Sequence, residues 1–235
     1  MSFNVYKQGT NGYALYFAKG DWRESASVRN DQLKPVAEAM IGITGTLNHG
    51  KNTLAGLIQS HLVTTKRKEM AFGDAPKVIL QKVFPKWTSA HFYTRELKEA
   101  VCPIYGISPR TAMTKFGTDF MRNSLGLPRY WINLLEEDME TLGRKPEDVI
   151  ITDIRFNNEA AWAKSNDGFI IRIRDPRKPV PTEEESEQGI STMFIDFDIE
   201  NDGSIDDIVD KLLILKPLYY LPKSFPEDES RIFPQ

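Results

Sequence analysis

The chain has 235 residues, 40% of them apolar and 27% charged, with a formal net charge of −3 from 33 acids and 30 bases. That size suits one α/β domain with insertions and excludes a stapled mini-protein. The near balance of charge excludes a global basic field for polymeric nucleic acid or a membrane surface, so a bound anion needs a local constellation. A single cysteine, Cys102, excludes an internal disulfide and a cysteine-based zinc site, and His49, His61 and His91 lack ligand spacing. The first residues carry no apolar h-region and no run reaches 18 apolar residues, which predicts a soluble, cytoplasmic protein in a reducing setting.

In chain order, residues 5–22 read as short alternating strands around Asn11-Gly12, followed by a polar stretch. Residues 40–44, MIGIT, are an apolar run that opens directly into GTLNHGKNT. Leu54, Leu57, Ile58 and Leu62 then recur at helical spacing. Residues 68–72 predict a second strand. Asp74-Ala75-Pro76 predicts a helix start, with proline in the first turn and apolar positions through Val83. The stretch 85–110 reads as irregular. Ser108-Pro109 opens a helical pattern ending near Leu125, and another runs from Tyr130 to Leu142. Residues 149–153 are a continuous apolar run ending in Asp153. Residues 157–164 read as helix, 169–173 and 194–199 as strands, and 205–215 as a helix after the turn Asn201-Asp202-Gly203. The tail after Pro217 is expected to wrap the surface. Apolar strands alternating with helices imply a parallel sheet covered on both faces, with ligands at the carboxyl ends of its strands.

Gly45-Thr46-Leu47-Asn48-His49-Gly50-Lys51 fits G-x-x-x-x-G-K. In such a loop the glycines let backbone N–H groups turn inward around a phosphate, and the following helix adds its positive end. Gly45, Asn48, Gly50, Lys51, Asn52 and Thr53 are therefore the expected ATP-binding set. Lys51 would reach the β- and γ-phosphates, and Thr53 or Asn52 would take the Mg²⁺ side. The alternative is a glycine-rich turn without a ligand.

GKNT resembles the GKDT loop of phage deoxynucleoside monophosphate kinases, with Asn52 where the family has an acid. AFGDAPK, YTREL, SPRTAMTKFGTDFMRN, YWINLLEEDM, DIRFNNE, ESEQG and IENDGS are similar, in order, to further segments of that family. The resemblance covers about residues 40–215. It implies an N-terminal extension (1–38), a P-loop kinase domain (39–216) and a C-terminal tail (217–235). The implied fold is a three-layer α/β/α P-loop architecture with a parallel central sheet and a helical acceptor-binding and lid region. The implied reaction moves the γ-phosphoryl of ATP, with Mg²⁺, to a deoxynucleoside 5′-monophosphate in phage nucleotide metabolism. The setting would be the host cytoplasm, and a homodimer is compatible with it.

The resemblance places Lys77, Arg95, Arg110, Gly117, Thr118, Trp131, Asp153, Arg155 and Glu159 at the monophosphate, and Thr53 and Asp153 at the metal. Lys51, Arg95, Asp153 and Arg174 form the expected catalytic set. Arginine forks onto phosphate bidentately, which suits Arg95, Arg110 and Arg155. Each residue also has a plainer reading. Lys77 could be a solvated lysine, Arg95 a surface partner of Glu96 or Glu99, and Arg110 a first-turn charge. Trp131 could be core and Asp153 a helix N-cap. Arg155 and Glu159 could be a local i,i+4 pair, and Arg172 and Arg174 a solvated strand end. Glu187 and Gly189 are singled out by the resemblance, and residues 175–192 are expected to be mobile. Three rivals stay open: a P-loop kinase for an alcohol or coenzyme precursor, a nucleotide-dependent switch or binding module without kinase activity, and a structural protein with a vestigial loop. The guanine motif N-K-x-D and the ABC-type LSGGQ are absent.

Overall fold

The computed structural model describes residues 4–8, 14–17, 34–178 and 189–220. Its strands are β1 (Asn4–Gln8), β2 (Ala14–Phe17), β3 (Lys34–Pro35), β4 (Ile41–Thr44), β5 (Lys68–Met70), β6 (Val149–Ile154), β7 (Phe169–Arg174), β8 (Phe197–Glu200) and β9 (Leu218–Tyr220). Its α-helices are α1 (Lys51–Leu57), α2 (Asp74–Val83), α3 (Ala90–Tyr93), α4 (Arg95–Glu99), α5 (Pro109–Thr114), α6 (Tyr130–Thr141), α7 (Asn157–Ser165) and α8 (Ile205–Leu215). The chain divides into two units, Met1–Met70 with Gly143–Gln235, and Ala71–Leu142.

In the first unit, five strands form a parallel sheet in the order β5-β6-β4-β7-β8. The earliest of these, β4, lies at the centre, so strand order reverses there. The carboxyl end of β4 is thus the switch point at which open α/β sheets bind ligands. All of β4 and the first three residues of β6 and β7 are buried, because a sheet covered on both faces has no solvent side. Ile41, Ile43, Ile171 and Ile173 share one core cluster with Leu54, Ile58 and Leu62, and with Ile208, Leu212 and Leu215 of α8. The α1 helix runs on as a π-helical turn, Ile58–Leu62, which keeps that apolar stripe facing the sheet. With α7 packed on β7, helices flank the sheet in a three-layer α/β arrangement. Lys164 of α7 is buried, and its ammonium donates to the Asp196 carboxylate and to the Gly168 carbonyl. Asp196 also accepts the Ile170 N–H at 2.7 Å, so both charges of this buried pair are held by further polar groups.

A second, antiparallel sheet has the order β1-β2-β9-β3. Leu218–Tyr220, expected to lie on the surface, instead forms its inner strand β9. Leu218 and Tyr220 are buried and join the core cluster together with Val36, on either side of positions 39 and 216. The Tyr220 hydroxyl donates to the Asp167 carbonyl, and burial pushes its pKa up. The alternation of buried Leu218 and Tyr220 around Tyr219 is a strand pattern too short to stand out in the sequence.

The second unit is helical. Leu80, Trp87, Phe92 and Ala112 form its small core, with Phe84, Tyr105 and Phe116 packed against it. Trp87 meets Phe92 and Tyr105 edge-on, with ring centroids at 5.8 and 5.3 Å. Ser108 caps α5 by accepting the Thr111 N–H at 3.2 Å, and Pro109 follows at the first turn. The helix continues as the π-helical Lys115–Ser124.

Two expectations need correcting. The stretch 85–110 is not wholly irregular, since it holds α3 and α4. These helices of four and five residues show no periodicity, and packing of buried Phe92 beside Trp87 stabilises α3 where propensity alone would not. The strand expected over 194–199 is β8, Phe197–Glu200. Thr192–Phe194 is instead a 3-10 turn, opened by Ser191 accepting the Met193 N–H, and the turn drops Phe194 into the core. Among the described residues, no helix is long and apolar enough to cross a membrane.

Candidate active site

GTLNHGK occupies the turn between β4 and α1, at the switch point. Gly45 has φ +148°, and a Cβ there would lie 2.4 Å from the Ile173 carbonyl oxygen. Asn48 (φ 64°) and Gly50 (φ 103°) are left-handed, conformations that glycine and asparagine adopt at least cost. These three positions curl the loop tightly on itself. The Lys51 ammonium turns back over it and donates to the carbonyls of Gly45 and Thr46, the latter at 2.8 Å. The Thr46 hydroxyl is buried without a hydrogen-bond partner among the described residues. Asn52 and Thr53 are exposed on the first turn of α1.

The loop is held from behind. His49 is buried, and its Nδ1 accepts the Asp175 N–H at 3.0 Å. Asn201 Nδ2 donates to the His49 carbonyl at 3.2 Å, and Lys178 Nζ donates to the Asn48 carbonyl at 2.5 Å. Arg177 donates to the Asn201 carbonyl at 2.9 Å and to the buried Asp175 carboxylate at 2.8 and 3.2 Å. The Arg177 guanidinium thus holds the Asp175 carboxyl well below the usual carboxylate range. These bonds lie within the first residues of the stretch 175–192 expected to be mobile. Residues 179–188, with Glu187, lie outside the described residues. Gly189 is described, in a left-handed conformation.

Strand ends flank the loop. Pairing of β4 with β6 runs Gly42↔Ile151 and Thr44↔Ile154, so β6 carries one extra residue and Thr152 and Asp153 sit in a bulge opposite Ile43. Such bulges re-aim side chains beside functional sites. Asp153 is a strand residue, not the N-cap of α7, which is Phe156. Glu159 is 3% exposed, and its Oε2 accepts the backbone N–H groups of Arg155 and Phe156 at 2.8 and 3.1 Å. Its carboxylate therefore builds the turn between β6 and α7. On β7, Thr44 pairs with Arg172. Arg172 grips Asp198, while Arg174, 48% exposed, lies 3.6 Å from both Asp198 and Glu200.

In the second unit, the Lys77 ammonium sits 2.8 Å from Asp74 Oδ1 and 4.4 Å from the Tyr93 ring centroid. The Tyr93 hydroxyl donates to the same Asp74 oxygen at 3.2 Å, and burial raises its pKa against the pull of Lys77. Arg110 donates to Glu99 at 2.5 Å, tying α5 to α4. Arg95 is exposed at the start of α4 and has no polar partner among the described residues. Trp131 is 4% exposed, its Nε1 donates to the Gly117 carbonyl at 3.0 Å, and it packs edge-on against Phe116 and Tyr130. Thr118 is buried one residue on.

The structure thus places Lys51 and the loop after β4, and Asp153 and Arg174 near the carboxyl ends of the neighbouring strands β6 and β7, with the Arg174 side chain beside Asp198 and Glu200. It groups Lys77 with Asp74 and Tyr93, and Trp131 with Gly117, in the other unit. Sequence reasoning missed the roles of His49, Asp74, Tyr93, Asp175 and Asn201. Asn201 lay in a recognised turn motif, but nothing local shows that it reaches back to position 49.

A divalent cation held near the loop would find oxygen ligands at Thr53, on the first turn of α1, and at Asp153, near the end of β6. No group of three or more His, Cys, Asp or Glu side chains that could hold a metal occurs among the described residues. A sparse oxygen set fits a hard cation that keeps its waters and binds through substrate phosphates.

Comparison with known proteins matches residues 79–212 to the family of deoxynucleotide monophosphate kinases. A protein of Acanthamoeba polyphaga mimivirus, provisionally named a deoxynucleotide monophosphate kinase, is 28% identical over 146 residues, covering 58% of this chain and 74% of its own.

Proposed function

The chain belongs to the deoxynucleotide monophosphate kinase family, and from that premise we propose that it transfers the γ-phosphoryl of ATP to a deoxynucleoside 5′-monophosphate, giving ADP and the diphosphate. The observation that carries the ATP half is the curled loop at the end of β4 with Lys51 folded over it. It lies outside the matched residues 79–212, so loop and family are independent supports.

Phosphoryl transfer asks the protein mainly for positioning and charge stabilisation. In this reading the loop N–H groups of 45–51 wrap the triphosphate, and Lys51 trades its two carbonyl partners for phosphate oxygens. Thr53 and Asp153 would hold Mg²⁺, which when bound would neutralise phosphate charge. Lys77, Arg95 and Arg110 receive the acceptor phosphate, while buried Trp131, with Gly117 and Thr118, shapes that region from within. Arg155 keeps its acceptor assignment, and Glu159 supports it by holding the Arg155 backbone. Arg174 reaches toward the transferring group. The resemblance to phage kinases supports a place in phage nucleotide supply, and the relative encoded by a mimivirus supports a viral setting only in the broader sense.

The test is an ADP-release assay of the wild type and Lys51→Ala against deoxynucleoside and ribonucleoside monophosphates. Turnover with deoxynucleotides that Lys51→Ala abolishes supports the reading; turnover only with an alcohol acceptor, or no ATP binding, refutes it.

A further inference from the structure

We propose that His49 and Asn201 are positioning residues for the phosphate loop, a role that rests on the kinase reading above. His49 lies inside the loop yet points away from solvent, 3% exposed. A buried imidazole with one nitrogen accepting a main-chain N–H is fixed in tautomer and orientation. The donor is the Asp175 N–H at 3.0 Å, on the segment that leaves β7. The His49 carbonyl is held separately, by Asn201 Nδ2 at 3.2 Å, from the turn between β8 and α8. A Cβ at Gly50 would lie 2.9 Å from Asn201 Nδ2, so the Asn201 amide lies directly against the left-handed corner at which α1 begins.

The consequence concerns the loop N–H groups. A loop with two left-handed residues, Asn48 and Gly50, has no helix or ladder to fix its amide directions. The His49 N–H itself donates to the Thr46 carbonyl at 3.4 Å, and two further hydrogen bonds from outside the loop hold this intervening residue, one through the His49 side chain and one through its carbonyl. Lys178 on the Asn48 carbonyl adds a third from outside. A loop pre-set in this way binds its anion without paying for ordering first. Neither residue needs to touch the nucleotide.

Two substitutions separate this role from mere support of the fold. His49→Asn places its Oδ1 where Nδ1 stood and still accepts the Asp175 N–H, whereas His49→Leu keeps volume but cannot accept. Kinetics and equilibrium ATP titration of the full chain give the readout. His49→Leu and Asn201→Ala should each raise the KM and Kd for ATP about five- to tenfold, the effect of one hydrogen bond. The KM for the monophosphate should stay within about twofold, and His49→Asn should restore most of the ATP affinity. Equal ATP affinity in His49→Leu and His49→Asn, or an equal rise in both KM values, overturns the proposal. Should His49→Leu not fold, Asn201→Ala against the wild type decides by the same split. A wild type that binds no ATP instead removes the kinase reading itself.

Discussion

Asp175 and His49 stand 126 positions apart, yet the amide of one donates to the imidazole of the other at 3.0 Å. The Asp175 carboxylate is buried and is gripped by Arg177 through its main-chain N–H, Nε and Nη2. Its pKa is lowered, so its contribution to stability is complete above the unfolded value, about 4, and is lost as pH falls toward the depressed folded value. Asp175→Asn should therefore melt below the wild type at pH 7, with the gap closing below about pH 4. Melting curves across that range check it, and a constant gap refutes the linkage.

Lys51→Ala should lower kcat at least about a hundredfold, the scale for losing a preorganised cation or donor at developing charge. Its melting temperature should change little, because the lost bonds are two contacts to loop carbonyls. A rate near that of the wild type would sink the assignment of the loop.

Arg95→Ala should raise the acceptor KM and leave ATP affinity alone. Arg95 is exposed and partnerless among the described residues, so stability should move by no more than about 0.5 kcal/mol. A loss of ATP affinity instead would mean that the two substrates have been assigned to the wrong residues.

Trp131→Ala should destabilise by about 3–5 kcal/mol through the cavity it leaves, with the Gly117 carbonyl also losing its donor. Denaturant unfolding measures this. If stability hardly changed while base preference did, Trp131 would be a wall of the nucleotide pocket more than a part of the core.

Removing one partner of the buried Lys164–Asp196 pair, as in Lys164→Met, should cost about 3–5 kcal/mol because an uncompensated carboxylate stays behind. Both KM values should be unchanged at temperatures where the variant is folded.

Much of the sheet was legible because its strands are unbroken apolar runs, MIGIT, VIIT and FIIRI, whose burial on both faces leaves no alternation to misread. The loop was legible because left-handed backbone leaves a mark in glycine and asparagine. The bulge at Thr152-Asp153 was not, since an extra residue is visible only against its partner strand. Nor were the contacts of His49 with Asp175 and Asn201, since a hydrogen bond across 126 residues has no local signature. Glu159 shows the converse: its spacing from Arg155 suggested a charge pair, while the carboxylate holds the backbone N–H of that residue. Short helices α3 and α4 escaped because packing around Trp87, not periodicity, stabilises that stretch.

The strand β9 carries a consequence for how the protein is made. It is the inner strand that joins β2 to β3, and it plugs Leu218 and Tyr220 into the same core that β4 begins. During synthesis, β1, β2 and β3 emerge first and must wait for some 180 further residues before that partner exists. Their open edges stay exposed meanwhile, in the condition most prone to mispairing. A nascent chain stalled before Leu218 would have made every residue of the proposed catalytic set and still lack the clasp that joins the two ends of the first unit.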